Sequence, residues 1–447
     1  MATAAVPPSS DTAVGPASGR GRRHGTSTSV PFDRWFRYPA GFASDYVTAL
    51  LANLDISPGG VIIDCFTGSG VTGTAARQAG YGFYGIEAHP LIAELAQLKL
   101  QSPPETPSRL AQEAARTVEA ARSILAQRLR SGKSRAEDQP DLIRRSFDGQ
   151  HLEQLVALRD LIKLRDDEYA PYLKWALLAA LRDVASVKVG WPYQRPAVSR
   201  KPVFTIPMQR FVERAILIEE DLQQDQPLQK TAIVLCGDAR DSNSWGRSGV
   251  GLSDGCVASP PYLNNFDYAD ATRLELYFWG EVTTWAQLCS GVRRGMITAT
   301  TQQSSVLAAS RSSERLMHLP GTGEQIGVLT KKLEMQRKSR DRGKEYDRVL
   351  PDYFAGILQV LQNLALNLKP GAPCVWLVGD SAPYGVYVDT PAIIGDIAGH
   401  LGFKVESDVV LRHRGQRWGT NKNRHSVSLG ERLLRFRLEE PVEDQPV

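Results

Sequence analysis

With 447 residues, the chain exceeds the usual size of one domain, so a large domain carrying an insertion, or two domains, is expected. Hydrophobic residues at 42% and charged residues at 23% give an ordinary globular balance, which excludes a wholly disordered or fibrous chain. A formal net charge of +4 permits a nucleic-acid partner without requiring one.

Residues 1–30 are rich in Ala, Pro, Ser, Gly and Thr, with a small basic knot at Arg20, Arg22, Arg23 and His24. Such a segment buries too little apolar area to offset its ordering entropy, so a disordered tail is expected. Order begins near Phe32. Tyr46, Val47, Leu50, Leu51 and Leu54 stand at helical spacing. A turn at Ser57-Pro58-Gly59-Gly60 leads into Val61-Ile62-Ile63-Asp64, a β-branched run typical of a buried parallel strand. A glycine-rich turn, a small-residue helix and a second strand over 81–86, ending at Glu87, complete the front of a doubly wound α/β domain.

From residue 103 to 228 the character changes. Leu110, Ala114, Val118, Ala121, Leu125 and Leu129 follow a helical period closed by Gly132, and further helical patterns cover 152–164, 172–184 and 209–222. This stretch reads as a largely helical insertion and a candidate target-recognition region, with an irregular patch at Trp191-Pro192-Tyr193. Strand signals return at 232–235, 256–258, 374–378, 403–410 and 432–438, with helices expected over 353–368 and 391–401. The expected catalytic domain is therefore 31–102 plus 229–438, followed by a short tail over 439–447. The fold class is α/β, with a doubly wound, mostly parallel, Rossmann-like sheet.

The five cysteines form no C-x-x-C pair, and several fall in apolar runs, so neither a disulfide framework nor a zinc site is expected. No apolar run reaches the roughly 18 residues of a membrane span, and the first residues lack a signal-peptide core. The expected setting is cytoplasmic, with no membrane partner.

Chemistry enters at Phe66-Thr67-Gly68-Ser69-Gly70. Glycines let the backbone pass close beneath a ligand, and the following helix start offers unpaired N–H groups. A plain structural turn is the alternative when G-x-G stands alone. Glu87, at the end of the second strand, is placed to accept hydrogen bonds from both ribose hydroxyls of a nucleoside; a solvated strand-end acid is its bland counterpart. A pattern without a third glycine suits S-adenosyl-L-methionine, which has no pyrophosphate to cradle. Asp238 follows the third strand and has two open readings, acceptor for the adenine amine of the cofactor or Asx turn.

Ser259-Pro260-Pro261-Tyr262 is the most specific signal. It follows the strand at 256–258, at the carboxyl end where open α/β sheets bind ligands. The exocyclic amine of cytosine or adenine is a poor nucleophile, because its lone pair is delocalised into the ring. Two acceptors, the Ser259 hydroxyl and the Pro260 carbonyl, can grip its hydrogens and favour a more tetrahedral nitrogen. Consecutive prolines stiffen the loop, and Tyr262 offers a face on which an extruded base can stack. A Ser-Pro-Pro surface turn is the competing reading.

Together, Tyr38-Pro39-Ala40-Gly41-Phe42, the run from Asp64 through Thr72, Gly237-Asp238, Ser259 to Tyr262, and Val378-Gly379-Asp380-Ser381 resemble the S-adenosylmethionine-dependent DNA amino-methyltransferases. These enzymes modify N4 of cytosine or N6 of adenine. The resemblance implies a class I methyltransferase fold and a cofactor held by Phe42, Asp64, Phe66, Thr67, Gly68, Ser69, Gly70, Thr72, Glu87 and Asp238. It further implies catalysis without a metal by Ser259, Pro260, Pro261 and Tyr262, and double-stranded DNA as substrate with the base flipped out. Ser at the first motif position favours N4 of cytosine over N6 of adenine. A protective role beside a separate restriction or phage-defence partner, and association with the nucleoid, follow from the same likeness. One departure is that the long insertion precedes Gly237-Asp238 instead of lying between or after the motif blocks.

Two basic stretches suit phosphate contact. Residues 331–348 carry eight basic side chains against four acidic ones, and residues 412–424 carry Arg412, Arg414, Arg417, Lys422 and Arg424 around Trp418. A solvated charged face is the alternative for each. Other readings of the whole chain are an amino-methyltransferase acting on RNA or a protein glutamine, and a non-catalytic DNA-binding module. The sequence leaves the recognition site and oligomeric state open.

Overall fold

The computed structural model describes residues 29–38, 43–187, 203–224, 231–246, 252–263, 267–299, 304–414 and 428–439. The tail expected over residues 1–30 falls almost wholly outside these, as do Phe42, the Trp191 patch, and Arg417, Trp418, Lys422 and Arg424.

Seven strands form one sheet: β1 (Val61–Asp64), β2 (Gly82–Glu87), β3 (Ala232–Cys236), β4 (Gly255–Ala258), β5 (Pro373–Gly379), β6 (Phe403–Arg414) and β7 (Leu429–Leu438). Their order is β3-β2-β1-β4-β5-β7-β6. Strands β1 to β5 pair in parallel, and β7 runs antiparallel between β5 and β6. This is the class I methyltransferase sheet. Successive side chains of a strand face opposite ways. Accordingly Ile62, Val257 and Val375 join one apolar cluster, and Ile63, Cys256 and Trp376 join the other. Both faces are covered, which is why these strands read as continuous apolar runs.

In chain order the helices are α1 (Ser44–Ala52), α2 (Val71–Gln78), α3 (Pro90–Leu100), α4 (Leu110–Ser131), α5 (Asp141–Ser146), α6 (Gly149–Lys163), α7 (Ala170–Asp183) and α8 (Pro207–Gln224). They continue with α9 (Tyr268–Ala271), α10 (Arg273–Trp279), α11 (Trp285–Gly291), α12 (Val306–Leu316), α13 (Thr322–Lys338), α14 (Tyr346–Leu366) and α15 (Thr390–Gly399). Gly132, at φ 65°, ends α4 in the left-handed conformation that its position predicts. The stretch 291–348, for which no element was expected, holds α12 and α13. No helix of the described residues is long and apolar enough to cross a membrane.

Helices α4 to α8 do not pack as a separate body. Their apolar cluster also includes Trp35 and Phe36, Leu91 and Leu95 of α3, and Leu274 and Phe278 of α10. The buried carboxylate of Asp221 on α8 accepts from Phe32 N at 2.8 Å and Trp35 Nε1 at 2.9 Å. Trp35 meets Tyr172 edge-on at 6.0 Å, and Phe36 meets Trp175 at 5.1 Å. The helical stretch thereby fixes the segment that leads to Tyr38.

The strand order reverses between β1 and β4, whose carboxyl ends lie side by side. A crevice at such a reversal is where ligands bind in open α/β sheets.

Candidate functional site

The turn after β1 is built on short-range bonds. Asp64 Oδ1 accepts from Phe66 N at 2.9 Å, and Thr67 Oγ1 donates to the Asp64 carbonyl at 2.9 Å. Gly68 and Gly70 stand at φ 52° and 86°, a region that penalises any side chain. A Cβ on Gly85 of β2 would lie 2.4 Å from Thr67 Oγ1, so that glycine makes the room in which the turn sits. From below, the buried Lys99 ammonium donates to the Ser69 carbonyl at 2.8 Å. Burial pushes Lys99 down to about 8, with Asp33 and Asp221 opposing the shift.

Two carboxylates face this turn. Glu87 accepts from Gly68 N through Oε2 at 2.7 Å and from His89 N through Oε1 at 2.8 Å. Burial raises its carboxyl to about 7, against those bonds, and raises that of Asp64 to about 8. Burial also drives His89 down to about 3, so its ring is neutral, and Nε2 meets Thr272 Oγ1 at 2.5 Å. Asp238 realises the Asx-turn reading: Oδ1 accepts from Arg240 N at 2.9 Å, while the Arg240 guanidinium pairs with both oxygens. It nevertheless borders the same cavity.

The loop after β4 reaches this cavity from the other side. Ser259 Oγ donates to the Leu377 carbonyl at 3.2 Å, and Ser381 Oγ, beyond the end of β5, donates to the Leu263 carbonyl at 2.5 Å. The Ser259–Leu263 loop is thus tied to the neighbouring strand at both ends. One cavity is bordered by Asp64, Phe66, Thr67, Gly68, Ser69, Thr72, Glu87, Asp238, Ser259 and Pro261. Gly70, Pro260 and Tyr262 are not in its lining, and the latter two are buried. Phe42 lies outside the described residues.

Several bordering residues escaped the sequence reading. Tyr38 and Tyr268 face one another with ring centroids 6.1 Å apart, and both line the cavity. Arg182 of α7 brings their segments together by donating to the carbonyls of Arg37 and Ala271 and pairing with Glu275. Tyr38 belongs to a stretch whose pattern was visible, whereas Tyr268 carried only its position shortly after the proline loop. Gly295, Met296 and Ile297 form another wall and gave no sequence signal.

The residues present fit S-adenosylmethionine. The buried Ser69 hydroxyl oxygen has no hydrogen-bond partner among the described residues, the glycines leave the turn without a Cβ, and two buried carboxyls suit a cationic ligand rich in hydroxyl and amino donors. The basic stretch 331–348 is partly engaged within the protein. Arg337 pairs with Asp347, Lys338 with Glu334, and Arg340 lies over the Tyr384 ring. Arg412 pairs with Glu431.

A DNA methylase family model matches residues 21–98. Type II methyltransferase M.BsoBI of Geobacillus stearothermophilus is 23% identical over 85% of this chain and 80% of its own length. Type II methyltransferases M.AvaI of Nostoc sp. and Anabaena variabilis are each 23% identical over 86% of this chain and 81% of their own. The rRNA methyltransferase aviRa from Streptomyces viridochromogenes overlaps 92% of the chain at a TM-score of 0.31 and 13% identity, too loosely to bear on the fold, which rests on the sheet itself. These likenesses support an S-adenosylmethionine-dependent DNA amino-methyltransferase.

Proposed function

We propose that this chain methylates the exocyclic amine of a base flipped out of double-stranded DNA, with N4 of cytosine as the target atom. The observation that carries this reading is the meeting of the Ser259–Pro261 loop and the Gly68 turn in one cavity. The cofactor supplies an electrophilic methyl group on a sulfonium. Asp64, Phe66, Thr67, Gly68, Ser69, Thr72, Glu87 and Asp238 would hold it, with Glu87 accepting from the ribose hydroxyls.

The protein's part on the base side is orientation. Because the Ser259 hydroxyl spends its proton on Leu377, its lone pairs remain to accept from an amino hydrogen. The Pro260 carbonyl accepts the second hydrogen. Gripping both favours a tetrahedral nitrogen whose lone pair leaves the ring and points at the methyl group. The amine sheds its proton during or after attack, so no strong base is required. The likeness of the loop to cytosine enzymes favours cytosine. Tyr38 and Tyr268 are the aromatic faces nearest the cofactor turn. The helical stretch 103–228 acts first as support, because Arg182 and Asp221 fix the segment leading to Tyr38. The relatives' description as type II enzymes supports a modification role beside a separate nuclease.

Ser259→Ala is the test. It should cut kcat by about 10²-fold or more, the scale of losing one positioning acceptor, while cofactor affinity is unchanged. Full methylation by this variant would remove the assigned role.

A further inference from the structure

Beside the cofactor cavity lies a second, open cleft, walled by α11, the segment 293–298, one face of α12 and one face of α14. The two spaces share a wall: Gly295 and Ile297 border the cofactor cavity, Arg293, Arg294 and Thr298 border the cleft, and Met296 borders both. Arg240 joins them, pairing with Asp238 on one side and donating to the Arg294 carbonyl at 3.1 Å on the other.

The charge of this cleft is one-sided. Five arginines border it, at 240, 293, 294, 311 and 315, against the single carboxylate of Asp352. Two are already neutralised, Arg240 by Asp238 and Arg293 by Asp267. Arg294, Arg311 and Arg315 are exposed and have no ion-pair partner among the described residues. Arg311 and Arg315 stand one helical turn apart, with Ala308 and Ser312, on the face of α12 turned to the cleft. The buried Arg293 also has an Nε without a partner among the described residues. Unpaired arginines gathered in a concave surface are chemically suited to phosphate oxygens, which accept from the guanidinium fork.

We infer that this cleft is the seat of the DNA backbone, with Arg294, Arg311 and Arg315 contacting successive phosphates beside the flipped nucleotide. The inference rests on the proposed function and assigns the phosphate-binding surface to neither of the two basic stretches seen in sequence. A phosphodiester strand in the cleft would run along the wall behind which the methyl donor lies, so backbone contact and base delivery share one rigid element. Such contacts position the duplex and do not read its sequence.

The test measures affinity for a mixed-sequence duplex as a function of salt for the full chain and for Arg294→Ala/Arg311→Ala/Arg315→Ala, with cofactor titration and circular dichroism as folding controls. Each lost phosphate contact should lower the slope of log K against log salt by about 0.9, so the triple variant should lose about 2 to 3 units of slope. Its affinity at low salt should fall at least tenfold with cofactor binding unchanged, and lysines at the three positions should recover most of the loss, since a point charge still meets phosphate. Unchanged affinity and slope in a folded, cofactor-binding triple variant would overturn the cleft assignment while leaving the methyltransferase reading intact. A wild-type chain that binds no duplex even at low salt would overturn both.

Discussion

Replacing Glu87 by Gln tests the cofactor side of the site through both affinity and pH. In the free protein the carboxylate takes two backbone N–H groups, from Gly68 at 2.7 Å and His89 at 2.8 Å. A Gln side chain offers one acceptor oxygen and one donor amine, so one N–H is left facing another donor. Losing the charge-assisted hydrogen bond from a ribose hydroxyl costs about 1.5–3 kcal/mol, which corresponds to roughly a 10- to 150-fold weaker Kd for S-adenosylmethionine. Burial holds the Glu87 carboxyl at about 7, so the free protein is mostly protonated there at pH 6 and mostly ionised at pH 8. Ribose hydroxyls bind the ionised form, so wild-type affinity should rise about tenfold between those values and then level off. The variant should lose this increment. Titration calorimetry across pH 5.5–9, in buffers of differing ionisation enthalpy, reads both the affinity and the proton released on binding. Equal pH profiles for wild type and variant would refute the assignment of Glu87.

The same carboxyl bears on stability, with a definite sign. Its folded value of about 7 lies above the ordinary 4.5, so the folded protein holds the extra proton between those limits and wild type gains stability relative to Glu87→Gln as pH falls through that window. Urea midpoints of cofactor-free protein at pH 5 and 8 check it, and a wild-type advantage growing toward pH 8 would contradict it. Gly85→Ala should displace Thr67 and abolish cofactor binding in a protein that still folds, because the new Cβ falls 2.4 Å from Thr67 Oγ1; a crystal structure with the turn unmoved would refute this. Lys99→Met should leave the Ser69 carbonyl unbonded and remove the countercharge of Asp33 and Asp221. A loss of about 3 kcal/mol in unfolding free energy, with weakened cofactor binding, is expected from breaking one side of a buried charge network; unchanged stability would exclude that role.

What the sequence disclosed follows the range of the interactions. β1, the glycine turn and β2 were readable because buried parallel strands are apolar on both faces and the turn is held by bonds across two or three residues, such as Asp64 to Phe66. α12 and α13 were not, because each leaves apolar residues in solvent, including Val306 at 66% and Met335 at 63% exposure, which blurs the helical period. α14 begins at Tyr346, seven residues before the expected start, and carries Pro351 within its second turn. The insertion of β7 between β5 and β6 is set by long-range register, which leaves no local pattern. Ser259 and Glu87, which border the cavity, stand out in the sequence by their position at a strand end. Tyr38, Tyr268 and Met296 became neighbours only through contacts such as that of Arg182 with the carbonyls of Arg37 and Ala271.

Mass spectrometry of nucleosides from duplex DNA incubated with the purified chain and isotopically labelled S-adenosylmethionine weighs the amine-orienting loop against every alternative. The label should appear on N4 of cytosine; unlabelled DNA, or label on a ring carbon, would contradict an active site built to turn an exocyclic amine toward the methyl donor.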